Sequence, residues 1–148
     1  MEMTDTQEFT RFKYMEHTSE AKFQAYGKTL EEAFGNAVLA MFNMLTDIKK
    51  VKPVKKKEIF IRAGKLDTLL YDFLDEFILL LDTEGLIISK IESIQIKKEK
   101  EIYNLHAVIL GDNYKSYDVH GDVKAITYND MMITENRGKF IVQVVVDI

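Results

Sequence analysis

AKFQAYGKTLEEAFGNAVLAMFNMLT, residues Ala21 to Thr46, contains the change of period on which the fold turns. Its first six residues alternate, with Ala21, Phe23 and Ala25 on one side and Lys22, Gln24 and Tyr26 on the other, which predicts a strand with one buried face. At Thr29-Leu30-Glu31-Glu32 the alternation gives way to a capping box. The threonine hydroxyl can accept from the amide three residues on, while the Glu32 carboxylate reaches back to the Thr29 amide. Leu30, Ala33, Phe34, Ala37, Val38, Met41, Met44 and Leu45 then follow at spacings of three and four, predicting a helix that ends near Thr46 with its Met and Phe stripe in the core.

Outward from this stretch the same rules divide the chain. A mostly polar leader of about ten residues and a candidate strand, Arg11 to Met15, precede it. Six lysines in the nine residues Lys49 to Lys57, without an interleaved aromatic, read as a solvated loop, with an RNA or partner contact as the alternative. A strand is expected at Glu58 to Arg62. After Gly64 comes a second helix whose apolar positions run from Leu66 through Phe73 and Phe77 to Leu81, with Asp67, Asp72, Asp75 and Glu76 off the stripe; Gly85 ends it. Four strands follow, at Leu86 to Lys97, Ile102 to Leu110, Val123 to Ile133 and Phe140 to Val146, for which an antiparallel meander is the economical topology. The order ββαβαββββ does not alternate strand and helix regularly. It predicts an α+β fold, a mainly antiparallel β-sheet scaffold with two amphipathic helices.

At 148 residues the chain has the length of one domain. The only proline is Pro53 and no Gly/Ser-rich linker is present, so a single domain over residues 1–148 is expected, with a short flexible leader at about 1–10. Hydrophobic residues make up 47% of the chain and include 9 Phe and 7 Tyr, too many for a disordered chain. Twenty basic against 24 acidic side chains give a net charge of −4, so the molecule as a whole does not attract nucleic acid phosphates and any RNA contact must be local or indirect. The absence of cysteine excludes disulfides, thiolate nucleophiles and thiolate metal clusters, and suits a reducing cytoplasm. The first residues lack a signal peptide and the longest unbroken apolar run is Ala37 to Phe42, so a cytoplasmic location without a membrane span is expected.

Most catalytic motifs fail on inspection. Gly27-Lys28-Thr29 sits between a strand and a helix as a phosphate loop would, but Lys22 stands where the first glycine is required. No serine lies in a G-x-S-x-G elbow, and His17, His106 and His120 are not spaced as H-x-x-x-H. Two acidic places remain. Glu16-His17-Thr18-Ser19-Glu20 gathers two carboxylates, an imidazole and two hydroxyls in the turn between the first strands, and Asp147-Ile148 adds a side-chain and a terminal carboxylate after the apolar strand FIVQVVV. Close oxygen anions invite a hard divalent cation: calcium, magnesium or manganese.

An ordered set of motifs carries a family resemblance from Tyr14 almost to Ile148: EHTSE at Glu16 to Glu20, YGKTLEEAF at Tyr26 to Phe34, LLYDFLDEFILLLDTEGL at Leu69 to Leu86, VKAITY at Val123 to Tyr128, and the final Asp147-Ile148. The chain resembles the archease family, whose corresponding motifs include E-H-T-A-D and V-K-A-x-T-Y. The resemblance implies an accessory protein rather than an independent enzyme, one that promotes guanylylation and multiple turnover of an RtcB-type RNA ligase in tRNA splicing or RNA repair. The ligase is then the partner and tRNA is reached indirectly through it, with neither membrane nor DNA involved. It also implies a bound divalent cation with Glu20, Asp147 and the terminal carboxylate of Ile148 as metal residues. His17, His120 and Lys124 fall in matching stretches as candidates for partner contact or for bracing the site. Glu20 departs from the family's shorter Asp, and Asn129 stands where His is common. An RNA- or small-molecule-binding module without ligase activation is the alternative.

Overall fold

The computed structural model describes residues 10–16 and 20–148. Along the chain run β1 (Phe12–Met15), β2 (Ala21–Gly27), α1 (Leu30–Asn43), β3 (Lys55–Ala63), α2 (Leu66–Glu84), β4 (Leu86–Glu99), β5 (Ile102–Asn113), β6 (Ala125–Asn136) and β7 (Lys139–Asp147). The order ββαβαββββ is the predicted one and the fold is α+β. The expected leader, apart from Thr10, and His17 lie outside the described residues.

The strands form two antiparallel sheets, ordered β1-β2-β7-β6 and β3-β5-β4. This corrects the expected meander: β4–β5 and β6–β7 are hairpins, but they belong to different sheets, and β7 returns to pair with β2 near the other end of the chain. The physical reason lies in the helices. Each of α1 and α2 contacts strands of both sheets, so one sheet alone would leave part of each apolar stripe in water. Phe34 of α1 stacks on Phe73 of α2 at 6.3 Å, and Phe77 meets Phe42 at 6.0 Å and Phe73 at 5.2 Å edge to face. These rings belong to a continuous buried cluster that includes Phe23 and Val144 of one sheet and Leu105 and Ile109 of the other.

Local signals explain the element ends. Thr29 Oγ1 accepts from the Glu32 amide at 3.1 Å as the capping box requires, whereas the Glu32 carboxylate accepts from the Lys28 amide at 2.7 Å instead of from Thr29. Helix α1 stops at Asn43, before the expected Thr46; Leu45 and Thr46 form turns, and Thr46 Oγ1 donates to the Asp118 carbonyl. Gly85 closes α2 with φ 69°, where its amide turns back to the last helical carbonyls. Strand β3 begins earlier than predicted, taking in Lys55, Lys56 and Lys57 because β5 offers Gly111, Leu110 and Ile109 as register partners. Gly111 also faces the β4 bulge, where a side-chain carbon would fall 2.0 Å from the Ile87 carbonyl oxygen.

Candidate functional site: the acidic end of the four-stranded sheet

In β2 the residues Phe23, Ala25 and Gly27 face the core, so Lys22, Gln24 and Tyr26 face away from it. Antiparallel pairing sets Ala21 opposite Val146 and Lys22 opposite Val145. One residue beyond the first pair lie Glu20, just before β2, and Asp147, the last residue of β7. Adjacent strands run about 4.8 Å apart, and alternation along β7 assigns Asp147 to the outer set that holds Val145, while Glu20 sits in the bend that leads into β2. The β2–β7 register therefore brings Glu20 to the end of β7.

The backbone at Asp147 is fixed from its other side. Ala125 is its register partner in β6, and the Lys124 amide donates to the Asp147 carbonyl at 2.7 Å. The side chains of Lys124 and Asp147 are left exposed, as is Ile148. His120 is also exposed; its amide donates to the Leu45 carbonyl at 2.9 Å, tying the loop before β6 to the turn after α1. The structure thus relates Glu20 to Asp147 through the β2–β7 register and pairs the Lys124 amide with the Asp147 backbone, whereas the described contact of His120 is with the turn after α1.

A groove beside this edge is lined by Tyr14, Met15, Glu16, Glu20, Ala21, Lys22 and Met44. Glu16 and Glu20 share it, while Asp147 does not line it. The Tyr14 hydroxyl donates to the Ala40 carbonyl at 2.8 Å, and burial pushes its phenol above the ordinary value against a hydrogen bond with Asn43. Among the described residues no group of three or more His, Cys, Asp or Glu side chains is arranged to hold a metal ion. The side-chain carboxylates of Glu20, just before β2, and Asp147, at the end of β7, are oxygen donors of the kind a hard cation takes.

Sequence reasoning missed Lys22 and Asp130. Strand β6 bulges between Thr127 and Met132, and at the bulge Asp130, with φ 51°, meets the Lys22 ammonium at 3.5 Å. Gln143 Nε2 donates to the Asp130 carbonyl at 2.8 Å, and Tyr128 in the same bulge stacks on Tyr71 of α2 at 4.4 Å. The alternation in AKFQAY put Lys22 on the outer face; no local pattern announced the bulge that supplies its partner. Asn129, exposed in that bulge, has its amide hydrogen-bonded to Thr127 Oγ1.

These features define a two-sheet α+β scaffold in which an early and a late strand pair to carry acidic residues to one end of a sheet. The profile of the archease protein family matches residues 12–148. The chain belongs to that family. Protein archease of Methanosarcina barkeri is 40% identical over 140 residues, covering 93% of this chain and 96% of that protein. Its counterpart in Thermococcus gammatolerans is 36% identical over 141 residues, covering 93% and 99% respectively. Among solved structures, protein 1598 of Methanobacterium thermoautotrophicum superposes with a TM-score of 0.81 at 31% identity, covering 93% of this chain and 99% of that one. An archease from Thermotoga maritima, described as a possible chaperone, shares the fold with a TM-score of 0.53 at 17% identity over 92% of this chain and 96% of that one.

Proposed function

We propose that this protein is a cytoplasmic accessory factor that promotes guanylylation and repeated turnover of an RtcB-type RNA ligase in tRNA splicing or RNA repair, without being a catalyst itself. Membership of the archease family supports the role. The β2–β7 register, which sets Glu20 beside Asp147 at one sheet end, is the observation that carries its chemistry.

Glu20, Asp147 and the terminal carboxylate of Ile148 are the residues that would hold a divalent cation: calcium, magnesium or manganese. Such an ion supplies Lewis-acid positioning of phosphate oxygens and screens their charge. The chain's own contribution is placement. Pairing with Ala125 of β6 and the Lys124 amide hold the Asp147 backbone, and the preceding Val146 is paired with Ala21 of β2, so the Asp147 carboxylate starts from a rigid base. Glu20 reaches one methylene further than Asp would, which a cation with flexible oxygen coordination accommodates more readily than one demanding a strict octahedron. Exposure of Asp147, Ile148, Lys124 and His120 leaves this end open to a partner. His17, outside the described residues, belongs to the same proposal as a residue for partner contact or for bracing the site.

Labelled GMP transfer to the ligase tests the reading. Glu20→Ala and Asp147→Ala each slow transfer and reduce turnover; rates equal to the unaltered protein would refute the site. Residues appended after Ile148 convert its carboxylate to an amide, and unchanged activity in that tailed protein would remove this ligand from the set.

A further inference from the structure

The outer face of the three-stranded sheet carries an aromatic pair that the acidic end does not use. In β3 the core takes Ile59 and Ala63, leaving Lys56, Glu58, Phe60 and Arg62 on the far side. The register aligns Phe60 with His106 and Gln95, Arg62 with Asn104 and Lys97, Glu58 with Val108 and Ser93, and Lys56 with Leu110 and Lys90. Phe60 is 69% exposed. Its ring lies parallel to that of His106, 4.5 Å away at 12°, and Glu58 holds the His106 Nε2 at 2.8 Å. Water gains nothing from an ordered phenyl ring, and the stack leaves one face of Phe60 toward the open side of the sheet because β3 is an edge strand.

The charge around this pair is opposite to that of the whole chain. Lys56, Arg62, Lys90 and Lys97 rise from the face against Glu58, Glu92 and Glu99, with Glu58 engaged by His106 and Glu92 by Lys56 at 3.3 Å. Four cations against three carboxylates leave the face slightly positive on a molecule of net charge −4. Lys56 to Arg62 covers about 20 Å of strand, enough for about four nucleotides, the lower end of what small single-strand-binding sheets occupy.

We propose that this face binds single-stranded RNA, one base extending the Phe60–His106 stack and the neighbouring phosphates contacting Arg62, Lys97 and Lys90. An exposed aromatic ring on a face that also carries Arg62, Lys97 and Lys90 is the combination that single strands require: a flat apolar surface for a base and positive charge for the backbone. A protein partner of apolar character would leave those cations desolvated and unpaired, which disfavours it. The inference does not rest on ligase activation, since it concerns the isolated chain and a different sheet.

Anisotropy of a labelled oligouridylate, titrated with the whole protein at low salt, tests it. Saturable binding is expected. Phe60→Leu, which keeps an apolar residue but no π face, weakens it about fivefold to a hundredfold, and Phe60→Trp retains it. Lys97→Gln reduces the slope of log affinity against log salt by about 0.7. Both sites are exposed, and unchanged far-UV circular dichroism checks that the variants fold. The inference is overturned if no saturable binding occurs, if Phe60→Leu binds as tightly as the unaltered chain, or if binding is abolished by removing Lys49, Lys50 and Lys52 and not by Phe60→Leu. It is equally overturned if Phe60→Leu impairs only a protein contact while the oligouridylate ignores both proteins.

Discussion

Replacing Asp147 by Asn separates a ligand role from a structural one. The Asp147 backbone is tied by the Lys124 amide at 2.7 Å and by strand pairing, and neither contact uses the carboxylate. With an exposed side chain, the substitution should alter the metal-free stability by no more than about 0.5 kcal/mol. The effect with metal should be larger. Calcium at about a hundred times its dissociation constant adds about 2.7 kcal/mol to a fold that alone binds it. For a chain of this length that is an upward shift of about 5–11 °C in melting temperature. Loss of one carboxylate, taken to weaken binding about tenfold to a hundredfold, leaves about 0.4–1.4 kcal/mol at the same calcium concentration, or about 1–6 °C. Thermal melts in calcium and in chelator, run beside Asp75→Asn on the exposed side of α2 as a charge control, give both numbers. If Asp147→Asn keeps the full calcium-dependent shift, Asp147 is not a ligand; if it melts low in chelator as well, the carboxylate is structural.

Thr29→Ala removes the side-chain acceptor of the Glu32 amide and should cost about 1 kcal/mol, read as a lower urea midpoint with an unchanged slope. Phe73→Ala empties the point where the two helices meet between the sheets and should cost about 3–5 kcal/mol; a loss below about 1 kcal/mol would mean that the site collapses or is not central to the core. Asp112 is held below the ordinary carboxylate range, first by the hydrogen bond from the Tyr117 hydroxyl at 2.7 Å and next by the Asn113 amide. A lowered folded value contributes stability above the unfolded value that is lost as pH falls through the folded one. Tyr117→Phe should therefore move the Asp112 titration upward, with a stability deficit at neutral pH that shrinks in acid; an unmoved Asp112 carboxyl signal in an NMR titration would contradict the assignment.

Signals lying within a few residues of one another were legible in the chain. Thr29 and Glu32 mark the start of α1 whatever follows, because a cap is satisfied by amides one turn away; only the choice of Lys28 over Thr29 as recipient of the Glu32 carboxylate escaped. Gly85 terminates α2 for the same local reason. Lys55, Lys56 and Lys57 were misassigned to a loop since their strand partners, Gly111, Leu110 and Ile109, are distant in sequence and a run of lysines gives no alternation to read. The bulge at Tyr128 to Met131 escaped likewise, and with it the Lys22–Asp130 pair.

The pattern of periods, caps and breaks by itself determined the element order, the two amphipathic helices and the acidic residues worth watching. Tertiary structure alone decided that the last four strands divide between two sheets, that β7 closes against β2, and hence that Glu20 and Asp147 share a sheet end while Phe60 and His106 share an open face. Backbone propensities act over a turn or a hairpin, whereas the pairing of distant strands is selected by how completely both helices can bury their apolar stripes, a property of the assembled core and of no single stretch within it.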